Sequence, residues 1–207
     1  MLFLLLAVST SCKPAKVDPS PKRPPAGADP AEAKAFELIE AVGGTIQRDY
    51  QTEGKPIISV DIYPSNEKHF RLKDLAGLKR LQYLSIGCSW VTDDWLKDLA
   101  GFTQLQKLHL NNTKVTDAGL KGLTGLTQLN ELGLEKTAVT DAGLKDVAGF
   151  KQLQMLNLNS TQVTDTGLQE LAGLKQLTKL YLGGTQVTDA GVADLQKALP
   201  SLTIGDR

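Results

Sequence analysis

The chain has 207 residues with 23 basic and 23 acidic side chains, and a net charge of zero disfavours nucleic acid, which is gripped by an excess of Lys and Arg. Two Cys and two His are too few for a Cys/His zinc site or a disulfide framework, and no apolar run reaches the ~18 residues of a spanning helix. Apolar residues make up 41% of the chain and aromatics only 5%, while Leu occurs 34 times, so leucine must build the core.

Residues 2–8 (Leu-Phe-Leu-Leu-Leu-Ala-Val) form an apolar run that ends in Ser9-Thr10-Ser11 immediately before Cys12, the pattern of an export signal over residues 1–12. Small residues followed by Cys resemble the processing site of bacterial lipoproteins, which makes Cys12 a candidate for lipidation. An ordinary signal peptide with an incidental Cys is the alternative. From Lys13 to Pro30 the chain holds six of its nine prolines and almost nothing apolar, so residues 13–29 cannot offset their ordering entropy by burial and read as a disordered, semi-extended linker. The two features together suit a protein exported to the cell envelope, periplasmic or surface, and attached to a membrane only through Cys12.

Residues 30–56 read as an N-terminal cap. Asp29-Pro30 supplies a helix cap and a first-turn proline, Phe36, Ile39 and Val42 share a face, and Gly43-Gly44 stops the helix. Ile46 to Tyr50 then forms a strand that returns against Ile57 to Ile62 across a turn at Glu53-Gly54.

From about residue 57 the chain repeats. Val-Thr-Asp recurs at Val91, Val115, Val139, Val163 and Val187, each 24 residues after the last. Leu-x-x-Leu-x-Leu keeps the same step at Leu105/Leu108/Leu110, Leu129/Leu132/Leu134, Leu153/Leu156/Leu158 and Leu177/Leu180/Leu182, with Leu81/Leu84/Ile86 and Ile57/Val60/Ile62 before them. Apolar residues two apart place both side chains on one face of a strand. Apolar pairs three apart, such as Leu120 and Leu123, mark one face of a short helix, with the preceding Thr or Asp available as its cap. The Gly column at 77, 101, 125, 149 and 173 is predicted to take the left-handed conformation that ends each helix. One such unit cannot close a core alone, so units stack and share it, aligning their strands in parallel from residue 57 to 190. Residues 191–207 are predicted to form a shortened C-terminal cap repeat, because Leu199, Leu202 and Ile204 arrive two residues early around Pro200.

With Thr113, Thr137, Thr161 and Thr185 three places beyond the last Leu, these units resemble leucine-rich repeats, of the bacterial type that reads Val-Thr-Asp-Ala-Gly-Leu. The resemblance implies an α/β, right-handed solenoid with a parallel β-sheet on the concave face and short helices on the convex face. It also implies protein binding as the usual role, and no catalysis.

Strand positions between the core leucines point to the concave face. There Tyr63, Tyr83, Lys107, His109, Glu131, Glu135, Met155, Asn157 and Tyr181 make a mixed polar and aromatic strip, the candidate surface for a protein or an envelope polymer; a merely solvated sheet face is the alternative. Trp90 and Trp95 stand where other repeats have small or polar residues and form a candidate lateral patch, unless they pack against the cap or a neighbouring repeat. Beside them Cys88 reads as an inert, half-buried thiol. Asp93, Asp117, Asp141, Asp165 and Asp189 form a column, but calcium needs convergent oxygens and helix capping accounts for the row, so no metal is expected.

No nucleophile elbow, phosphate loop, zinc-protease helix or nicotinamide fingerprint occurs, and His109 beside Glu131 and Glu135 lacks a nucleophile to activate. The chain therefore reads as a monomeric, non-catalytic recognition module without a cofactor. A passive spacer of the envelope is the second reading. A ubiquitin-ligase-type adaptor is the third, disfavoured because no F-box-like helical segment precedes the repeats and the Cys column of that subclass is reduced to Cys88.

Overall fold

The computed structural model describes residues 29–63 and 70–205; the expected signal segment with Cys12, the linker as far as residue 28, and His69 lie outside them. Helix α1 (Pro30–Ala41) starts where Asp29 Oδ1 accepts the Ala31 N–H at 2.8 Å and ends at Gly43, whose φ of 73° only glycine adopts without strain. Ala35, Phe36 and Ile39 bury its inner face. Strand β1 (Thr45–Arg48) runs antiparallel to β2 (Ile57–Ile62), and a buried ion pair, Arg48 Nη1 to Glu32 Oε1 at 2.6 Å, ties this hairpin to the helix. Arg48 Nη1 also donates to the Lys55 carbonyl at 2.8 Å, so one guanidinium nitrogen joins α1, β1 and the turn before β2.

Strand β2 is followed by β3 (Tyr83–Ile86), β4 (Lys107–His109), β5 (Glu131–Gly133), β6 (Met155–Asn157), β7 (Lys179–Tyr181) and β8 (Thr203–Gly205), all parallel and in sequential order. Partners across every one of these parallel pairs are 24 residues apart, as in Leu108 with Leu132 and Leu156 with Leu180. Behind the sheet lie the short helices α2 (Asp93–Leu96), α3 (Asp117–Leu120), α4 (Asp141–Val147), α5 (Asp165–Glu170) and α6 (Asp189–Ala198), each packed on the next. Between the two layers the Leu columns are sealed from water, and a further column, Leu78, Phe102, Leu126, Phe150 and Leu174, closes the core behind each helix. Burial of one such side chain stabilises by about 1.5–3 kcal/mol, and no repeat can realise that gain without its neighbours.

Three local expectations change. The glycines at 77, 101, 125, 149 and 173 are not left-handed; each helix instead tightens into a turn in which the following residue donates three places back, as Phe102 N–H does to the Leu99 carbonyl at 3.0 Å. The left-handed column lies after β4 to β7, at Asn112, Lys136, Ser160 and Gly184, with φ of 59°, 54°, 55° and 70°. There the chain turns sharply so that Asn112, Lys136 and Ser160 donate their N–H groups to the carbonyls of Glu135, Asn159 and Gly183 in the next repeat. Thr113, Thr137, Thr161 and Thr185 then brace the turn, each hydroxyl donating to the carbonyl three residues back. The last repeat is also not shortened: Ile204 pairs with Leu180 at the full 24-residue step, while Leu199 and Leu202 fill the core around the longer helix α6.

The third change concerns the aspartate column. Threonine is the helix cap, Thr116, Thr140, Thr164 and Thr188 each accepting a backbone N–H of their own helix. The aspartate beside it reaches into the following repeat. Asp117 Oδ1 accepts the Thr140 N–H at 2.8 Å and Oδ2 accepts the Thr140 hydroxyl at 2.7 Å, and Asp93, Asp141 and Asp165 hold Thr116, Thr164 and Thr188 in the same way. Room for each carboxylate is made by the Gly of Ala-Gly-Leu or Thr-Gly-Leu one repeat on, since a Cβ at Gly119, Gly143 or Gly167 would strike the Asp oxygen. Val-Thr-Asp-x-Gly-Leu is thus the two halves of one inter-repeat joint.

This joint sets a coupled prediction. Asp141→Ala should lower the free energy of unfolding by about 2 kcal/mol, as expected for hydrogen bonds to a charged group. Gly167→Ala alone should also destabilise, through collision with Asp141, yet in the Asp141→Ala background the same change should be neutral or stabilising because alanine favours a helix. Urea titrations of the four proteins check this, and strictly additive costs would refute the joint.

Candidate functional site: the open face of the parallel sheet

The parallel register places the face-forming side chains in columns, and it runs Ser59, Tyr83, Lys107, Glu131, Met155, Lys179 in one and Asp61, Ser85, His109, Gly133, Asn157, Tyr181 in the next. Neighbours in a column lie about 4.8 Å apart, near enough for long side chains to bond across and along the strands. A continuous network results over the first four parallel strands. Tyr83 donates its hydroxyl to Asp61 Oδ1 at 3.1 Å, and its oxygen also lies 3.4 Å from His109 Nδ1 with the two rings edge to face. His109 Nε2 faces Glu131 Oε1 at 2.9 Å, and Lys107 Nζ reaches Glu131 Oε2 at 2.8 Å. Tyr63, 63% exposed just beyond β2, is held by a hydrogen bond between its hydroxyl and that of Ser85 at 2.7 Å.

Of the candidate strip, Tyr63, Tyr83, His109, Glu131 and Lys107 therefore come together at this end. Glu135 and Asn157 meet in a second group, where Asn157 Nδ2 donates to Glu135 Oε2 at 3.3 Å and Lys136 Nζ lies 3.6 Å from Oε1. Met155 and Tyr181 are half-buried on the following strands, in register with the rest but outside either network. Asp61 and Ser85 belong to the first network and are absent from the candidate strip; their column position, two strands and one strand from His109, was the available signal.

Electrostatics divides these groups. Burial pushes the Asp61 carboxyl above its ordinary value, against the opposing hydrogen bonds from Tyr83 and Ser85 and the nearby His109. Burial also raises the Tyr83 hydroxyl, helped by the Asp61 carboxylate. For Glu131 burial works upward too, but the hydrogen bonds and charge of Lys107 and His109 outweigh it and hold the carboxyl below its usual value.

The lateral patch does not survive as a pair of surface rings. Trp95 is only 6% exposed, with its ring 6.3 Å from that of Phe70, 4.8 Å from that of Trp90 and under the Arg71 guanidinium at 5.0 Å. It occupies the place that Gly119, Gly143 and Gly167 take in the following repeats. Trp90 is partly buried against the same core. Cys88 is buried beside them, its thiol pushed up to about 11 by burial, so it is a poor nucleophile. Among the described residues no group of three or more His, Cys, Asp or Glu could hold a metal ion, and Asp93, Asp117, Asp141 and Asp165 are engaged by threonine.

A sheet of parallel strands stacked at one 24-residue step, backed by short helices and joined repeat to repeat, defines a solenoid class. The model of the family described as Leucine Rich repeat matches residues 103–123 and 153–172. The fold is that of a leucine-rich repeat solenoid, and proteins of the matched family are in general binding modules. Among solved structures it is similar to an internalin of Listeria monocytogenes (26% identity, 65% of this chain and 44% of that one, TM-score 0.47) and to a leucine-rich repeat protein of Leptospira interrogans (24% identity, 72% and 36%, TM-score 0.53). It is also similar to internalin C2 of Listeria monocytogenes at 20% identity, over 86% of this chain and 93% of that one, with a TM-score of 0.53. The chain spans less than half the length of the first two. No curated protein matches it in sequence.

Because the Glu131 carboxyl is depressed in the fold, its contribution to stability is present above its ordinary value of 4.5 and is lost as pH falls through the lowered one. The stability difference between the chain and Glu131→Gln should accordingly shrink as pH drops below about 4.5. A difference that stays constant through that window in urea titrations would show that Lys107 and His109 do not stabilise the carboxylate.

Proposed function

We propose that this protein is a non-catalytic recognition module that binds a protein or an envelope polymer through the open, concave face of its sheet. One observation carries the reading: core and joint positions recur from repeat to repeat, whereas the face positions vary between strands and several are tied into preformed networks, such as Asp61, Tyr83, His109, Glu131 and Lys107. Side chains already fixed by their neighbours lose little freedom when a partner arrives, which favours binding. The general role of leucine-rich repeats supports the same conclusion.

We further propose export to the cell envelope with Cys12 as lipid anchor and residues 13–29 as tether, supported by the apolar run, the small residues before Cys12 and the prolines after it. Mass spectrometry of the mature N-terminus in the native host should find a diacylglyceryl-modified Cys12. An unmodified chain beginning at Met1 in the soluble fraction would overturn export.

For binding itself, Tyr83→Ala combined with Tyr181→Ala should weaken capture of the partner by at least roughly tenfold while the circular dichroism spectrum is kept. If the purified protein binds nothing saturably, the passive spacer becomes the better reading.

A further inference from the structure

The chemistry of the open face narrows its partner. Its charges are largely spent on one another: Lys107 and His109 both turn onto Glu131 at 2.8 and 2.9 Å, and Glu135 has Lys136 at 3.6 Å and the Asn157 amide. A face paired in this way offers no surplus of cations to a polyanion. Its apolar surface is aromatic, from Tyr63, Tyr83 and Tyr181, with Met155 the one aliphatic side chain among the face positions of β2 to β7.

What remains is neutral and polar. One residue before each of β3 to β6 stands an amide, Gln82, Gln106, Asn130 and Gln154, so that four amides recur along one margin of the sheet at the strand spacing of about 4.8 Å. At the first of these margins the amides Gln47, Gln82 and Gln106, with Ser59 and Tyr83, the apolar Ile58 and the oppositely charged Asp61 and Lys107, line a shallow depression of about 360 Å³, within the size range of small-ligand sites. Each amide offers both donors and an acceptor. The second element is a set of rings laid down along the sheet. The edge of the Tyr63 ring fills the space where a Cβ at Gly87 would stand, 2.7 Å away; the Tyr181 ring does so over Gly205, and the His109 ring lies beside the Cβ position of Gly133 at 3.1 Å. In each case ring and glycine are 24 residues apart, and a side chain at the glycine would force the ring upright.

Fixed aromatic surface on the same sheet as a row of groups that both donate and accept, with Tyr83 beside that row, is the complement of a pyranose chain, which has apolar C–H faces and a rim of hydroxyls. We propose that the open face binds a neutral, hydroxyl-rich oligosaccharide, with an apolar sugar face against Tyr63 and Tyr83 and hydroxyls on Gln82, Gln106 and Asp61. This rests on the reading that the face is the binding surface, and it names the polymer in place of a protein.

Calorimetric titration of the full chain with neutral hexasaccharides of α-linked glucose, β-linked glucose and β-linked N-acetylglucosamine, and with hexagalacturonate as anionic control, tests it. At least one neutral sugar should bind saturably and more tightly than the galacturonate. Tyr63→Ala and Gln106→Ala should each weaken that sugar roughly tenfold, while Lys145→Ala on the helix layer leaves it unchanged. Absence of saturable binding by all three neutral sugars, tighter binding of the galacturonate, or indifference to both face substitutions overturns the proposal. A protein partner lost on Tyr83→Ala with Tyr181→Ala, without sugar binding, would sink the sugar and leave the face as binding surface; loss of both kinds of binding would sink both.

Discussion

A carboxylate that reaches from one repeat to the threonine of the next holds this structure in register. Asp93, Asp117, Asp141 and Asp165 each accept a backbone N–H and a hydroxyl from the neighbouring unit, and in doing so set the spacing of the helices as the strand ladder sets that of the sheet. The leucine columns supply most of the stabilisation, but burial is non-directional and would tolerate slippage. The bidentate carboxylate does not. Its requirement for empty space explains why a glycine persists inside short helices, where it would otherwise cost about 1 kcal/mol.

Much of this was legible from residues alone. The 24-residue step marked the stacked parallel strands, and Asp29-Pro30 with Gly43 marked the first helix, because both signals are local or periodic. The errors share one cause. An aspartate at the start of a helix looks like its cap, and a glycine after a helix looks left-handed, whereas both are decided by the adjacent repeat, which no single unit contains. Ile204 was misplaced for a similar reason: Leu199 and Leu202 imitate the repeat, while the backbone pairing with Leu180 ignores them. The Glu32 to Arg48 pair, joining residues of opposite charge on a helix and a strand, had no periodicity to announce it.

At the face the columns were readable but the bonds along them were not. Asp61 and Ser85 are ordinary polar residues until the register sets them against Tyr83 and Tyr63. The ring above each glycine is likewise a property of two repeats: Tyr63 with Gly87 and Tyr181 with Gly205 only become a pattern when counted across the step. The side-chain networks of the open face therefore form between repeats, as the stabilising joints do.

The joint also governs how such an array can change its length in evolution. Each interior unit carries a carboxylate for its successor and a threonine with a vacant glycine place for its predecessor, so gene duplication or loss of a whole unit leaves every seam intact. Trp95 breaks that symmetry. An indole in the socket would collide with any upstream aspartate, so the unit bearing it is confined to the leading end, and the array can grow or shrink only behind it.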